Sequence, residues 1–457
     1  MHSSHFPDDF IWGASISAAH TESAATEGGK GVSIWDEFCS RPKWFGNPRI
    51  RNGHHIDDSA DFHTHFRQDI DALKSLGFKN FRFSISWPRL MPDGEHVNFT
   101  GIEYYKDVIN YCIESGITPW VTIYHWDLPL ELEKKGGWTS RHIIDWFTRY
   151  AKLCVESFPQ VRHWVILNEP SVFVGAGYLF GVHAPGRKGF ESFFAAMHHA
   201  LLTIGRTYRL IKSIDPELQV GSSFSFTQVE AYSNSRKDNE AMQIADMLVN
   251  RLFFEPLLGL GYPPWELRKF RELKKFIQEG DMEAMPVDLD FIGVQTYTRE
   301  VFRYNYFNPF LKVKHVPAHL RVPDPTATNW EVYPECLYNI LAKIQVYRPG
   351  LKLVITENGV ALDDKVSNGI VDDKRRIEYY RSHLAQVIRA RREGINIQGY
   401  FAWSLIDNFE WAEGYYPRFG LIYVDFNTKK RVLKQSAYWF RQFLHKVAAK
   451  EELSFSV

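Results

Sequence analysis

Two glutamates, Glu169 and Glu357, each stand at the end of an apolar run of the sequence. Glu169 follows the apolar residues 165–167, and Glu357 follows residues 353–355. Such a run is typical of a buried strand in a parallel sheet, and a charged residue at its end has left the core for the mouth of the sheet. Two carboxylates at the mouths of two strands can divide the cleavage of an acetal, because one protonates the leaving oxygen while the other acts at the carbon.

Polar and aromatic residues also stand where most of the other strand-like runs end. They are His20, Glu22, Arg82, His125, Trp126, Asn168, Gln295, Tyr297, Asn358, Trp403, Asp407, Asn408, Glu410 and Trp411. Any one of them alone could be a satisfied core group or a capped loop residue. Burial of so many unpaired polar groups would be costly, so the whole set indicates one polar pocket.

The segment 60–86 shows the elements that would position these strand ends. Apolar residues recur at helical spacing from Phe62 to Leu76, and Gly77 follows as a residue that accepts positive φ. The letters NFRFSIS then alternate apolar and polar residues, a pattern typical of a strand.

The same alternation recurs along the chain and predicts eight strands. They lie near residues 10–16, 80–86, 118–124, 162–168, 218–224, 290–295, 352–357 and 397–403. Eight strands with helical crossovers predict an α/β fold, a closed (β/α)8 TIM barrel with long βα loops that form a pocket. An open doubly wound sheet is the alternative, but no glycine-rich turn follows the first strand to support it.

No linker or low-complexity stretch divides the chain, so we expect residues 1–457 to form a single domain. Long connections near residues 30–58, 226–240, 264–285 and 302–330 are expected to form the rims of the pocket.

The composition excludes several classes of partner. Lys plus Arg and Asp plus Glu each number 54, and a net charge of zero argues against nucleic acid or an anionic membrane. No apolar run is long enough for a membrane span, and the first residues lack the pattern of a signal peptide, so we expect a cytoplasmic location. The four cysteines form no C-x-x-C pair and are expected to be reduced and mostly buried.

Eleven strings in order carry a resemblance to a known family over roughly residues 8–445. They are FIWGAS, SIWDEF, RFSISWPRL, YHWDLP, GGW, LNEP, GVHAPG, WEVYPE, ITENG, WSLIDNFEWAEGY and RFGLIYVDF. In these strings the sequence resembles glycoside hydrolase family 1, the β-glucosidase family. The resemblance implies a retaining exo-β-glycosidase, most simply a β-glucosidase that removes terminal β-D-glucosyl residues from oligosaccharides or aryl glucosides by double displacement.

The resemblance also implies the roles of the strand-end residues. Glu357 would be the nucleophile and Glu169 the acid/base, with Arg82, Asn168 and Tyr297 completing the catalytic group. The residues implied to bind the sugar are His20, His125, Trp126, Asn168, Gln295, Trp330, Trp403, Glu410, Trp411 and Phe419. A carboxylate such as Glu410 suits a free hydroxyl and would repel a phosphate.

A small-molecule sugar is the implied partner, and no cofactor or metal is expected, because acetal hydrolysis needs only an acid, a nucleophile and water. His63 and His65 lie at i, i+2 on a helical pattern, so they do not share a face as a zinc-binding pair would.

Three residues depart from the family pattern inside the implied site. His20 stands for a glutamine that grips two adjacent sugar hydroxyls, Gln295 stands for an asparagine, and Ser171 stands for a tryptophan on the leaving-group side. We hypothesise that His20 and Gln295 shift the preferred sugar towards a galactoside, fucoside or xyloside. Transfer of the sugar to an acceptor alcohol is a second alternative, and a sugar-binding protein without catalysis is a third.

Overall fold

Eight parallel strands close into a barrel in the computed structural model, which describes residues 6–41, 48–263, 271–308 and 311–452. Each strand pairs with its neighbours in chain order, and the last pairs with the first. We label them β1 (Ile11–Ser15), β2 (Asn80–Ser84), β3 (Thr118–Tyr124), β4 (His163–Asn168), β5 (Gln219–Ser225), β6 (Phe291–Gln295), β7 (Leu353–Asn358) and β8 (Ile397–Trp403). All eight predicted strands are confirmed, and so is the predicted (β/α)8 barrel.

One long helix follows each strand, and the first seven of these helices return the chain to the start of the next strand. The helices are α1 (Phe62–Ser75), α2 (Phe99–Glu114), α3 (Ile143–Ser157), α4 (Phe190–Ile214), α5 (Arg236–Asp246), α6 (Glu335–Tyr347), α7 (Lys374–Arg392) and α8 (Gln435–Ala448). The apolar stripe predicted in α1 is buried at Phe62, Phe66, Ile70 and Leu73. Each helix thus covers the barrel with one apolar face.

An apolar plug fills the inside of the barrel. Trp120, Val165, Phe291, Val354 and Phe401 come from five different strands and form a buried cluster separate from the layer between strands and helices. Trp120 lies 5.3 Å from both Phe291 and Phe401 between ring centroids. The side chains at the carboxyl ends of the strands are therefore left to build a polar pocket above this plug.

Short elements occupy the connections. A three-stranded sheet joins Gln228–Ala231, Arg299–Tyr304 and Val313–Val316, and a hairpin joins Ile422–Val424 to Arg431–Leu433. The short α-helices are Ala18–Thr21, Ile34–Ser40, Trp87–Leu90, Leu130–Lys134, Pro170–Val174, Leu252–Phe254 and Asp281–Ala284. Short 3-10 or π turns cover Glu27–Gly29, Arg51–Gly53, Ile56–Asp58, Gly137–Thr139, Gly175–Phe180, Met247–Arg251, Pro256–Leu258, Arg271–Lys275, Ala318–Leu320 and Trp411–Glu413.

Parts of three predicted long connections, residues 42–47, 264–270 and 309–310, lie outside the described residues. None of the helices that the structure describes is both long and apolar enough to span a membrane. All four cysteines are free thiols, and Cys112, Cys154 and Cys336 are buried. The single-domain organisation stays a prediction.

Candidate active site

Glu357 lies near the carboxyl end of β7 and is held by two donors. Its side chain is almost fully buried, with Arg82 Nη1 at 2.6 Å from Oε1 and Tyr297 Oη at 2.7 Å from Oε2. Arg82 reaches it from β2, and Tyr297 follows β6. Both donors favour the ionised carboxylate.

Asn168, the last residue of β4, connects this group to the rest of the site. Its Oδ1 accepts hydrogen bonds from Arg82 Nη2 at 2.5 Å and from Gln295 Nε2 at 2.7 Å. Its Nδ2 then faces His125 Nε2 at 3.2 Å. Its backbone carbonyl accepts the indole N–H of Trp126 at 2.8 Å.

Glu169 follows β4 directly and has a different environment. It adopts a left-handed backbone conformation with φ of 48°, a region that is sparse for residues other than glycine. Burial first, and the nearby Glu357 second, raise the pKa of Glu169 well above its usual value. The Asn168 amide lies 3.5 Å from Glu169 Oε2, which is long for a hydrogen bond, and the hydrogen bond with the Ser225 side chain lowers the pKa by less than burial and Glu357 raise it.

The two carboxyls therefore differ in the order in which they lose a proton. Burial also raises the pKa of Glu357, but the charge of Arg82 and the hydrogen bond from Tyr297 oppose that rise. Glu357 is thus the first of the pair to ionise, and its charge then keeps the proton on Glu169. The site can present one acid and one carboxylate at the same time.

A cavity of about 330 Å³ opens at the carboxyl ends of the barrel strands, and Glu169 and Glu357 both line it. One wall is a buried aromatic group of Trp403 and Phe419, against which Tyr297 and Trp330 pack. On another side Trp411 stacks on Trp126, with ring centroids 4.5 Å apart and planes at 18°. Flat apolar walls of this kind complement the apolar faces of a ring-shaped ligand.

Three neutral imidazoles also line the cavity. Burial lowers the pKa of His20 to about 3 and that of His183 to about 4, and it lowers the pKa of His125 well below its usual value. His20 lies 4.0 Å from Trp411 and 5.3 Å from His125 between ring centroids. These groups offer neutral hydrogen-bonding atoms rather than charges.

Glu410 adds a third carboxyl to the cavity wall. Burial, with the charge of Glu357, raises the pKa of Glu410 to about 8. Its Oε2 is buried without a hydrogen-bond partner in the described structure, so it is available to a ligand.

The structure brings most of the predicted site residues into the wall of this one cavity. Those that line it are His20, His125, Trp126, Glu169, Tyr297, Trp330, Glu357, Trp403, Glu410, Trp411 and Phe419. Arg82, Asn168 and Gln295 are fully buried behind that wall. The amide N–H of Gln295 donates a hydrogen bond to Asn168 Oδ1, so Gln295 supports Asn168 from behind the wall.

Two other strand-end carboxylates have structural partners. Glu22 accepts hydrogen bonds from Arg89 Nε at 3.0 Å and from Tyr105 Oη at 2.5 Å. Asp407 pairs with Arg418 and Lys434, each at 2.7 Å. Neither carboxylate lines the cavity.

The sequence reasoning missed several residues of the wall. They include Val172, His183, Ser225, Phe226, Thr227, Thr298, Glu300, Thr328 and Glu413. Ser225 is the last residue of β5, and β5 is the one barrel strand for which no site residue was predicted. Its position at a strand end could therefore have identified it from the sequence. His183 lies within the quoted string GVHAPG, whereas Glu300 lies in the short strand Arg299–Tyr304 outside the barrel and Thr328 lies in a loop whose course no local pattern defines.

Comparison with known proteins places this arrangement in a family. The family model for glycosyl hydrolase family 1 matches residues 2–448. The chain belongs to glycosyl hydrolase family 1. This family 1 chain is 39% identical over 445 residues to β-glucosidase A of Thermotoga maritima. The aligned residues cover 96% of this chain and 98% of that protein. It is also 39% identical over 439 residues to a 1,4-β-D-glucan glucohydrolase of Thermotoga neapolitana, covering 95% and 97% of the two chains.

Solved structures of family 1 members agree with the fold. The β-glucosidase of Thermotoga maritima in complex with deoxynojirimycin superposes with a TM-score of 0.92 at 37% identity, covering 98% of this chain and 99% of the other. The family resemblance drawn from the eleven strings is therefore confirmed, and so is the assignment of the chain to the glycoside hydrolases.

Proposed function

We propose that this family 1 enzyme is a retaining β-glucosidase that removes a terminal β-D-glucosyl residue from an oligosaccharide or an aryl glucoside. The observation that carries the proposal is the pair Glu169 and Glu357, which line one cavity in environments that favour opposite protonation states. The names of the relatives, β-glucosidase A and 1,4-β-D-glucan glucohydrolase, support the sugar.

The reaction then proceeds in two displacements. Glu357 attacks the anomeric carbon while Glu169 gives its proton to the leaving oxygen, and an ester of Glu357 results. The ester carries no negative charge, so the electrostatic reason for the raised pKa of Glu169 weakens. Glu169 is then ionised, takes a proton from water, and the attacking water releases the sugar with its original β configuration.

The other wall residues support binding rather than bond cleavage in this proposal. Trp403 provides a flat surface for the sugar ring, and Glu410 and the neutral imidazoles face its hydroxyls. Arg82 and Tyr297 hold Glu357 for attack, and Asn168 connects Arg82 to His125. The cytoplasm is the proposed compartment, on the sequence grounds given above.

The stereochemistry of the product tests the proposal. Nitrophenyl β-D-glucoside is hydrolysed in an NMR tube, and the first glucose formed is expected to be the β anomer. An exposed-residue variant, Glu378→Gln, serves as the matched control and should behave as the wild type. First formation of α-glucose would contradict the double displacement, and no hydrolysis of any nitrophenyl β-glycoside would contradict the proposed activity.

Transfer of the sugar to an acceptor alcohol is the second candidate. Ser171 follows Glu169 by two positions and has a small side chain where the family pattern has a tryptophan, and its neighbour Val172 lines the cavity. Product analysis with added alcohols separates the two reactions, since transfer gives an alkyl β-glucoside at the expense of free glucose.

A further inference from the structure

Five polar atoms of the cavity-lining residues are buried without a hydrogen-bond partner among the described residues. They are His20 Nε2, His125 Nδ1, His183 Nδ1, Thr296 Oγ1 and Glu410 Oε2. An unmade hydrogen bond at a buried polar atom is unfavourable, so these atoms are where the site is incomplete without a ligand. Which of the two nitrogens can donate depends on the tautomer of each imidazole, and the neighbours of each ring decide that.

The neighbours of His125 determine its tautomer. Because Asn168 Oδ1 already accepts from Arg82 and Gln295, its Nδ2 is the atom that faces His125 Nε2. An amide nitrogen can only donate, so His125 Nε2 accepts. The neutral ring then carries its proton on Nδ1, the nitrogen without a partner.

Ser17 determines the tautomer of His20. Ser17 Oγ lies 2.5 Å from His20 Nδ1. Among the described residues, each of these two atoms has the other as its only hydrogen-bond partner. Ser17 is fully buried, so its hydroxyl proton has no acceptor other than Nδ1. If Nδ1 carried the ring proton instead, the hydroxyl proton would be left without an acceptor, which is costly in the interior. His20 Nδ1 therefore accepts, and the ring proton lies on Nε2.

The position of the His20 ring is also fixed. Its backbone carbonyl accepts hydrogen bonds from Ser59 Oγ and from the Phe409 N–H. Its ring packs against Trp411 with centroids 4.0 Å apart. A ring held in this way presents Nε2 in one direction, which is a condition for selective recognition.

We propose that Ser17 is a positioning residue that holds His20 as an Nε2–H donor, and that His20 determines specificity by donating one hydrogen bond to one hydroxyl of the bound sugar. This inference rests on the proposed glycosidase function. Ser17 does not line the cavity itself, so it acts only through His20.

The number of hydrogen bonds has a consequence for the range of substrates. A primary amide at this position would offer both a donor and an acceptor, whereas His20 offers one donor because Ser17 occupies its other nitrogen. A second hydroxyl beside the recognised one is left without a partner from this residue. The site should therefore accept β-glycosides that differ from the glucoside at that second hydroxyl.

A panel of substrates tests the proposal. The values of kcat/KM are measured for nitrophenyl β-glucoside and its monodeoxy analogues with the wild type, Ser17→Ala, Ser17→Thr and His20→Gln. In the wild type, removal of one hydroxyl should lower kcat/KM about tenfold, the effect of one hydrogen bond. In Ser17→Ala the loss of kcat/KM should largely disappear for that one sugar hydroxyl and for no other. Ser17→Thr keeps a side-chain hydroxyl group and should keep the loss.

The variant His20→Gln should restore a second contact, so that two adjacent hydroxyls rather than one become important. His163→Gln, at the opposite end of the barrel at the start of β4, is the matched control and should leave the pattern unchanged. Thermal unfolding of each variant identifies loss of folding. Equal losses for every analogue in Ser17→Ala would overturn the inference. Inactivity of the wild type on the whole panel would overturn the proposed function instead.

Discussion

The opposite environments of Glu169 and Glu357 determine how activity should depend on pH. Activity requires an ionised Glu357 and a protonated Glu169, so it should fall at low pH as Glu357 takes up a proton and at high pH as Glu169 loses one. Because the pKa of Glu169 is raised well above its usual value, the high-pH limb should lie well above the pH at which a free glutamate loses its proton.

In Glu169→Gln the high-pH limb of kcat/KM should vanish, and kcat should fall about 10²- to 10⁴-fold for a poor leaving group. A high-pH limb that persists in the variant would assign it to another group.

Tyr297 has a measurable effect on the proton affinity of Glu357. The variant Tyr297→Phe removes the 2.7 Å hydrogen bond to Oε2, which favours the ionised carboxylate. The pKa of Glu357 should rise, so the low-pH limb of kcat/KM should move to higher pH, with a loss of about tenfold or more at its maximum. Tyr338→Phe, which removes an exposed tyrosine hydroxyl bonded to Glu393, is the control and should leave the pH profile unchanged. A low-pH limb that stays in place would show that Tyr297 does not act on Glu357.

At the scale of elements, β7 and β8 approach each other closely at the ends from which Glu357 and Trp403 line the cavity. Gly359 follows β7, and a Cβ added there would lie 1.8 Å from the carbonyl oxygen of Trp403. The variant Gly359→Ala should force the two strand ends apart, lower the free energy of unfolding by about 2 kcal/mol or more, and reduce kcat/KM at least tenfold.

Gly175→Ala is the control for this change. Gly175 has open space around its Cβ position and a helical φ of −63°, so alanine there should leave stability unchanged or slightly higher. Chemical denaturation and kinetics of both variants decide the matter. A Gly359→Ala enzyme with wild-type stability and activity would show that the strand ends tolerate separation.

The elements themselves could be predicted from the sequence, because strand and helix periods are local. All eight strands were predicted within two residues of their observed bounds, and the residues at their carboxyl ends converge as parallel strands require. The position of Gln295 behind the cavity wall could not be predicted in the same way. Its place behind the wall depends on how far the barrel strands are staggered, which is a property of the closed sheet and not of one segment.

The loops show the same limit. His183 and Glu413 reach the cavity from connections with no periodic pattern, and Glu300 reaches it from a short strand outside the barrel, so only the folded chain shows that they meet. Glu22 and Asp407 resembled site residues in the sequence because they also follow strands, but their arginine and lysine partners come from distant segments.

At the scale of the whole molecule, a buried acid makes folding depend on pH. Burial raises the pKa of Asp127 to about 7, from about 4 in the unfolded chain. Since the folded state binds this proton more tightly, the contribution of Asp127 to stability is present at low pH and is lost as pH rises through about 7.

The variant Asp127→Asn cannot lose that proton. Relative to the wild type, the variant should therefore be more stable at about pH 8 than at about pH 5. The difference in the free energy of unfolding should be a few kcal/mol at most. Urea denaturation at both pH values measures the difference. Asp372→Asn, which changes an exposed aspartate, is the control and should show almost none. An equal effect of Asp127→Asn at both pH values would contradict the raised pKa.

Azide rescue identifies the catalytic nucleophile, the role that we propose for Glu357. The variant Glu357→Ala is incubated with nitrophenyl β-glucoside and sodium azide, and the product is identified by NMR. We expect almost no activity without azide and formation of α-glucosyl azide with it, because azide enters from the face that Glu357 vacates. Formation of β-glucosyl azide, or rescue confined to Glu169→Ala while Glu357→Ala remains folded and unresponsive, would contradict it.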